Sequence, residues 1–199
     1  MRELLIATSN KGKFKEFELF FRDMPFKILS LRDVFPEGIE IEEPGETLEG
    51  NAIIKAMTIG KRTGKLTLSD DSGLEVDILN GQPGVRSARF APGSDVDRRN
   101  FLLEKMKDVP DDMRGGQMRC VIALYDPERG DKVRLAEGVM KVRIAREPRG
   151  DKGFGYDDVM FVEETGRMHA EETTAERNKT SHRGKALAKA KEILIAEFE

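Results

Sequence analysis

One stretch near the N-terminus constrains the chain most: LLIATSNKGKFK, from Leu4 to Lys15. It reads as a buried strand, a tight polar turn and the start of a helix. Leu4, Leu5 and Ile6 form the apolar run; Thr8, Ser9 and Asn10 supply hydroxyl and amide groups, and Gly12 relieves the turn. The helix that follows repeats apolar residues at Phe14, Phe17 and Phe21, spaced three and four apart. Its first turn carries Lys11, Lys13 and Lys15, the wrong sign for a helix N-terminus, where the macrodipole favours anions. A strong anion at the turn would account for this, with backbone N–H groups and lysines converging on it. A solvated lysine face on an ordinary surface helix fits the same residues.

The rest of the chain narrows the classes available. At 199 residues it suits one large domain or one domain of two lobes, with enough length for a substantial core. The formal net charge of -3 argues against a general nucleic-acid binder, so any basic site must be local. A single cysteine, Cys120, excludes an internal disulfide, and with only His169 and His182 as histidines a Cys/His zinc site is not expected. No apolar run is long enough to span a membrane as a helix. The chain enters a strand almost at once, which leaves no room for a signal peptide, and the expected location is cytoplasmic.

Strands are expected at Lys27–Leu31, Leu66–Ser69, Leu74–Leu79, Cys120–Tyr125, Lys132–Ile144 and Val159–Val162. Helices are expected after Thr47 as far as Gly60–Gly64, from Val96 to Lys107 with Phe101, Leu102 and Met106 inward, and from His182 to Phe198. Gly81–Gly93 and Arg149–Asp158 read as loops, and a polar segment leads to Thr180 and Ser181. Strands and helices mix without strict alternation, which predicts an α/β protein with a mixed β-sheet and flanking helices.

Three further groups of residues suit chemistry. Asp70 and Asp71 stand at the expected end of a strand, before Ser72 and Gly73. Two such carboxylates, with Glu42 and Glu43 as a second source, suit Mg²⁺, which takes one or two carboxylates plus phosphate oxygens. Asp70-Asp71-Ser72-Gly73 is also a run of strong turn formers and reads equally as a simple turn. In Gly153-Phe154-Gly155-Tyr156-Asp157, glycines on both sides of a ring can expose its face for stacking on a base, or let it plug the core. Ser181-His182-Arg183-Gly184 puts cations at a helix start again, with Arg177 and Lys179 just before it. These could donate to a ligand's carbonyl oxygens, or be a Ser181 cap with solvated neighbours. Taken together the groups describe a nucleoside-triphosphate site.

These motifs, in this order, resemble the inosine/xanthosine triphosphate pyrophosphatases, which hydrolyse deaminated purine nucleoside triphosphates. The resemblance runs through Thr8-Ser9-Asn10-Lys11-Gly12-Lys13, Glu49-Gly50-Asn51-Ala52 with Lys55-Ala56, Asp70-Asp71-Ser72-Gly73-Leu74, Pro83-Gly84 with Ser87-Ala88-Arg89, and the two groups just described. It covers nearly the full length and implies one two-lobed domain over residues 1–199, with the site in a central cleft and a homodimer as the assembly. It implies that Thr8 to Lys13 and Lys55 hold the triphosphate, and that Glu42 and Asp71 ligate Mg²⁺, Asp71 also activating water. Ser72 would lie at the nucleotide. Phe154 would stack on the purine, with Gly155, Tyr156 and Asp157 completing that wall, while His182 and Arg183 read the base. Arg177 stands where the family usually has lysine, and Lys179 is an alternative contact there. The implied products are a nucleoside monophosphate and pyrophosphate. A pyrophosphatase for pyrimidine or modified triphosphates and a nucleotide-binding regulatory module are the competing readings. No nucleic-acid or membrane partner is expected.

Overall fold

The computed structural model describes residues 1–198. Seven strands form one sheet in the order β2-β1-β3-β4-β5-β6-β7. Their bounds are β1 Arg2–Ile6, β2 Phe26–Ser30, β3 Leu66–Val76, β4 Gly115–Tyr125, β5 Val133–Ile144, β6 Met160–Val162 and β7 Arg167–Met168. The helices are α1 Lys11–Phe21, α2 Leu31–Val34, α3 Leu48–Thr63, α4 Asp95–Lys105, α5 Thr174–Thr180 and α6 His182–Phe198. β1 pairs in parallel with both β2 and β3, whereas β5–β6 and β6–β7 are antiparallel. The expected mixed sheet with flanking helices is what forms.

The chain divides into two compact units. The first comprises Met1–Asp71, Val121–Glu137 and Ala186–Glu199. Here β1 is flanked on both edges, so Leu4, Leu5 and Ile6 are fully buried, as an apolar run in a parallel sheet requires. Leu5, Ala7, Leu29, Leu31 and Ile59 form a core that Val34, Phe35, Ile39 and Ile41 cover. α3 begins where Thr47 accepts the Gly50 N–H and ends at Gly64 in the left-handed region, as its sequence predicts.

The second unit comprises Ser72–Cys120 and Gly138–Lys185. Its core gathers Leu74 and Val76 of β3, Leu102 and Met106, Met140, Val142 and Ile144 of β5, and Tyr156, Val159, Met160 and Val162. Arg114 is buried among them and donates to the carbonyls of Met106, Ile144 and Ala145, at 2.5, 2.7 and 3.0 Å.

Several expectations are corrected. Asp70-Asp71-Ser72-Gly73 is no turn: β3 runs unbroken through it. Turn-forming side chains impose a turn only when they must bond locally; here Asp70 and Asp71 find partners on distant elements, and the Leu74 N–H donates to Ser87 Oγ at 2.8 Å. Gly73 has a packing reason, since a Cβ there would lie 2.2 Å from the Gly84 carbonyl oxygen. The strand expected over Leu74–Leu79 therefore ends at Val76, and Asp77–Leu79 is a 3₁₀ turn. Within Gly81–Gly93, a 3₁₀ segment spans Gly84–Arg89. Phe101 is 40% exposed rather than inward, its ring edge-on to Phe90. The polar segment before Ser181 is α5, started by a capping box of Thr173 and Glu176.

Candidate functional site

In the first unit, the turn after β1 is held by its own polar residues. The Asn10 side chain accepts the N–H groups of Gly12 and Lys13, at 2.8 and 3.1 Å, and so caps α1. Ser9, Asn10, Lys11 and Gly12 are exposed and Thr8 and Lys13 half-buried. Lys13 Nζ reaches Asp70 Oδ2 at 2.7 Å, so this lysine is neutralised from within.

Behind that turn lies a cluster of charges. Lys55, buried on α3, has Glu43 Oε1 at 2.7 Å and Asp71 Oδ1 at 3.8 Å from its ammonium. Burial works against that ammonium, but the fields of Asp70 and Asp71 and the bond to Glu43 outweigh it and hold its pKa above the ordinary lysine value. Burial pushes the Asp71 carboxyl up, opposed by Lys55 and by the Asn51 hydrogen bond. Asn51, also buried, donates to Asp71 Oδ2 at 3.0 Å and accepts the Gly45 N–H at 2.8 Å. It thus fixes Asp71 and the acidic tract from one amide. Glu43 is half-buried on Lys55, whereas Glu42 is exposed. Asp70, Asp71 and Glu43 are among the candidate carboxylates of the sequence, with Glu42 preferred over Glu43 by the resemblance; Asn51 has no role assigned there, although its place in the Glu49-Gly50-Asn51-Ala52 motif is the signal for it.

The second unit carries the aromatic group. Phe154 is 42% exposed, and the Arg183 guanidinium lies 5.8 Å from its ring centroid. Gly153 sits at φ +92°, and a Cβ there would fall 2.0 Å from Asp157 Oδ2 and 2.7 Å from Arg177 Nη1, so only glycine fits. Asp157 Oδ2 accepts the Phe154 N–H at 3.0 Å and has Arg177 Nη1 at 3.4 Å. Burial pushes the Asp157 carboxyl up, opposed by His169, the Phe154 bond, Arg177 and Arg183. Tyr156 belongs to the core: its hydroxyl donates to the Ser87 carbonyl at 3.0 Å, and burial pushes its pKa up to about 12. Of the two aromatics only Phe154 presents a face to solvent. Ser181 Oγ accepts the Gly184 N–H at 3.0 Å, which starts α6 with His182 and Arg183 buried in its first turn. Ser72 is half-buried on β3. Thus Lys13, Lys55 and Asp71 share one network with Asp70 and Glu43, and Phe154, Asp157, Arg177 and Arg183 share another.

Fold and side chains together define a mixed-sheet α/β protein with a carboxylate–lysine network and an aromatic–cationic network. The chain belongs to the Ham1 family, whose model matches residues 4–193. It is 43% identical over 196 residues to a dITP/XTP pyrophosphatase of Bacillus licheniformis, covering 98% of each chain. A HAM1 protein from Coxiella burnetii superposes with a TM-score of 0.90 at 38% identity, over 98% of this chain and 100% of that one. A solved nucleoside-triphosphatase, dITP/XTP pyrophosphatase, from Mycobacterium abscessus gives 0.77 at 40% identity, over 94% and 98%.

Proposed function

We propose that this protein hydrolyses deaminated purine nucleoside triphosphates (ITP, dITP and XTP) to the nucleoside monophosphate and pyrophosphate, with Mg²⁺. The observation that carries the reading is the Lys55 network, in a chain 43% identical to a protein named a dITP/XTP pyrophosphatase. Lys55 and the Thr8–Lys13 turn bind the triphosphate. Asn51 orients Asp71, and the Asp71 carboxylate takes the proton of the attacking water.

The donor set suits Mg²⁺. Glu43, Asp70 and Asp71 outnumber Lys13 and Lys55, so the network as it stands would repel a polyphosphate unless a cation joined it. Among the described residues no group of three or more His, Cys, Asp or Glu side chains is placed for an all-protein metal site. Mg²⁺ needs none, because it completes its shell with phosphate oxygens and water. Asp71, with a carboxylate of the Glu42–Glu43 pair, would hold it. Bound there, it would supply charge neutralisation at the phosphates.

Phe154 stacks on the purine, and Arg183 and His182 donate to its 6-keto oxygen. The 6-amino group of adenine would leave those donors opposed by another donor, a penalty of about 1–3 kcal/mol for each group left unsatisfied. The test is incubation with Mg²⁺ and ITP, XTP, GTP, ATP or TTP, separating pyrophosphate from orthophosphate. Pyrophosphate from ITP and XTP, with little from the others, is expected. Orthophosphate, or pyrophosphate mainly from TTP, would overturn the reading.

A further inference from the structure

The segment that carries Phe154 has little of its own to hold it in one place. Gly150, Gly153 and Gly155 all have positive φ, so its backbone has wide freedom when unfolded. The Phe154 ring is too exposed to be fixed by packing. Lys152 is tied to the Ala170 and Glu171 carbonyls, Asp157 to Arg177 and the Tyr156 hydroxyl to the Ser87 carbonyl, and α4 adds two further ties, at Gly155 and Asp158, on either side of Tyr156 and Asp157. Asp95, the first residue of α4, accepts the Gly155 N–H on Oδ2 at 3.1 Å. One helical turn on, Arg99 Nη1 lies 2.5 Å from Asp158 Oδ2, and both side chains are mostly withdrawn from water, at 16% and 24% exposure. Asp95 is itself held: Arg98 pairs with its Oδ1 and donates its other terminal nitrogen to the Gly93 carbonyl at 2.8 Å. The capping box of Ser94 and Asp97 fixes where the helix starts.

We propose that the first turn of α4 is a positioning clamp, in which Asp95 and Arg99 set the attitude of the Phe154 platform and thereby the enzyme's affinity for the base. Neither side chain would touch the reacting phosphates. They spare the substrate the cost of ordering a glycine-rich loop, a cost that would otherwise come out of binding. A site hung on a helix is also held more tightly than one left to its loop. The inference rests on the stacking role given to Phe154 above.

Steady-state kinetics on ITP with the full chain test it. Arg99→Ala, Asp158→Asn and Asp95→Ala should each raise KM roughly three- to tenfold, the size of one ordering cost, with kcat nearly unchanged. Arg99→Lys should fall between these and the wild type. The charge exchange, Arg99→Asp with Asp158→Arg, should bring KM back toward the wild-type value, and the rise in KM with kcat and melting temperature held is what a merely structural role would not predict. Phe154→Ala should raise KM at least as much, and Arg99→Ala added to it should do little more. Wild-type KM in the clamp variants beside a raised KM in Phe154→Ala overturns the clamp alone. So does a fall in kcat and melting temperature that the exchange does not repair. An unchanged KM in Phe154→Ala overturns the stacking role and the clamp with it.

Discussion

At the scale of single residues, environment decides role. Asp70 and Asp71 are neighbours on one strand, yet a strand turns alternate side chains to opposite faces. Asp70 is paired with Lys13, while Asp71 shares Lys55 with Glu43 and is oriented by Asn51. Asp71→Asn keeps shape and hydrogen-bonding capacity but removes the base. The turnover of ITP should fall by about 10²–10⁴, the usual worth of a positioned base, with nucleotide binding retained in calorimetry; full turnover in this variant would exclude Asp71 as the base. Tyr156 offers a test that needs no substrate. Its folded pKa, about 12, lies above the ordinary tyrosine value of 10.0 because the hydroxyl is buried on the Ser87 carbonyl. Between these values the unfolded chain has released the proton and the folded one has kept it, so stability falls as pH rises from 10.0 toward 12. Absorbance titration of wild type against Tyr156→Phe should isolate a phenol ionising near 12, and one ionising near 10.0 would refute its burial.

At the scale of elements, β3 is the sharpest lesson. Gly73 takes its place from the Gly84 backbone that packs against it, so Gly73→Ala should cost about 1–3 kcal/mol as an overpacked site. Urea unfolding measures this, and an unchanged midpoint would mean the close approach is not real. That approach also explains why β3 was hidden in the sequence. Asp-Asp-Ser-Gly carries every local mark of a turn; its place between β1 and β4 in the sheet, with side-chain partners on α1, α3 and the Gly84–Arg89 segment, makes it a strand. Elements with their own signals were legible. α3 had Thr47 and Gly64 as its caps, and α6 had Ser181 and a face of Leu187, Ala190, Leu194 and Phe198. α5 lacked an apolar face, having no buried residue, although the Thr173–Glu176 capping box was in plain view. Of the candidate site, residue types at motif positions were legible; that Asn51 ties Asp71 to Gly45, or that Glu43 and not Glu42 meets Lys55, depends on packing no local pattern encodes.

At the scale of the whole molecule, the chain leaves its first unit twice and returns twice, and each passage falls inside a regular element: β3, β4, β5 and α6. The first unit is therefore complete only when the last helix has come home. Its two ends are then fastened together. Arg2 donates to the Phe198 carbonyl at 3.0 Å and pairs with buried Asp126 at 2.5 Å. The Arg2 and Arg129 guanidinium groups lie 5.8 and 4.9 Å from the centroid of the buried Phe198 ring. Two truncations separate the terms. Phe198→Ala removes a buried ring and should cost about 3–5 kcal/mol, at the scale of other core aromatics. Arg2→Ala should cost less, about 1–2 kcal/mol: Arg2 is 31% exposed, which discounts the pair, and Arg129 still lies 3.4 Å from Asp126. Both groups meet at one site, so their effects should not add. With Phe198 gone, Arg2 has lost its aromatic contact, and the double variant should be less destabilised than the sum of the singles. Urea unfolding of all four chains gives the coupling directly. Strict additivity would mean that the two ends are held independently, and that the C-terminal helix is seated by its apolar face alone.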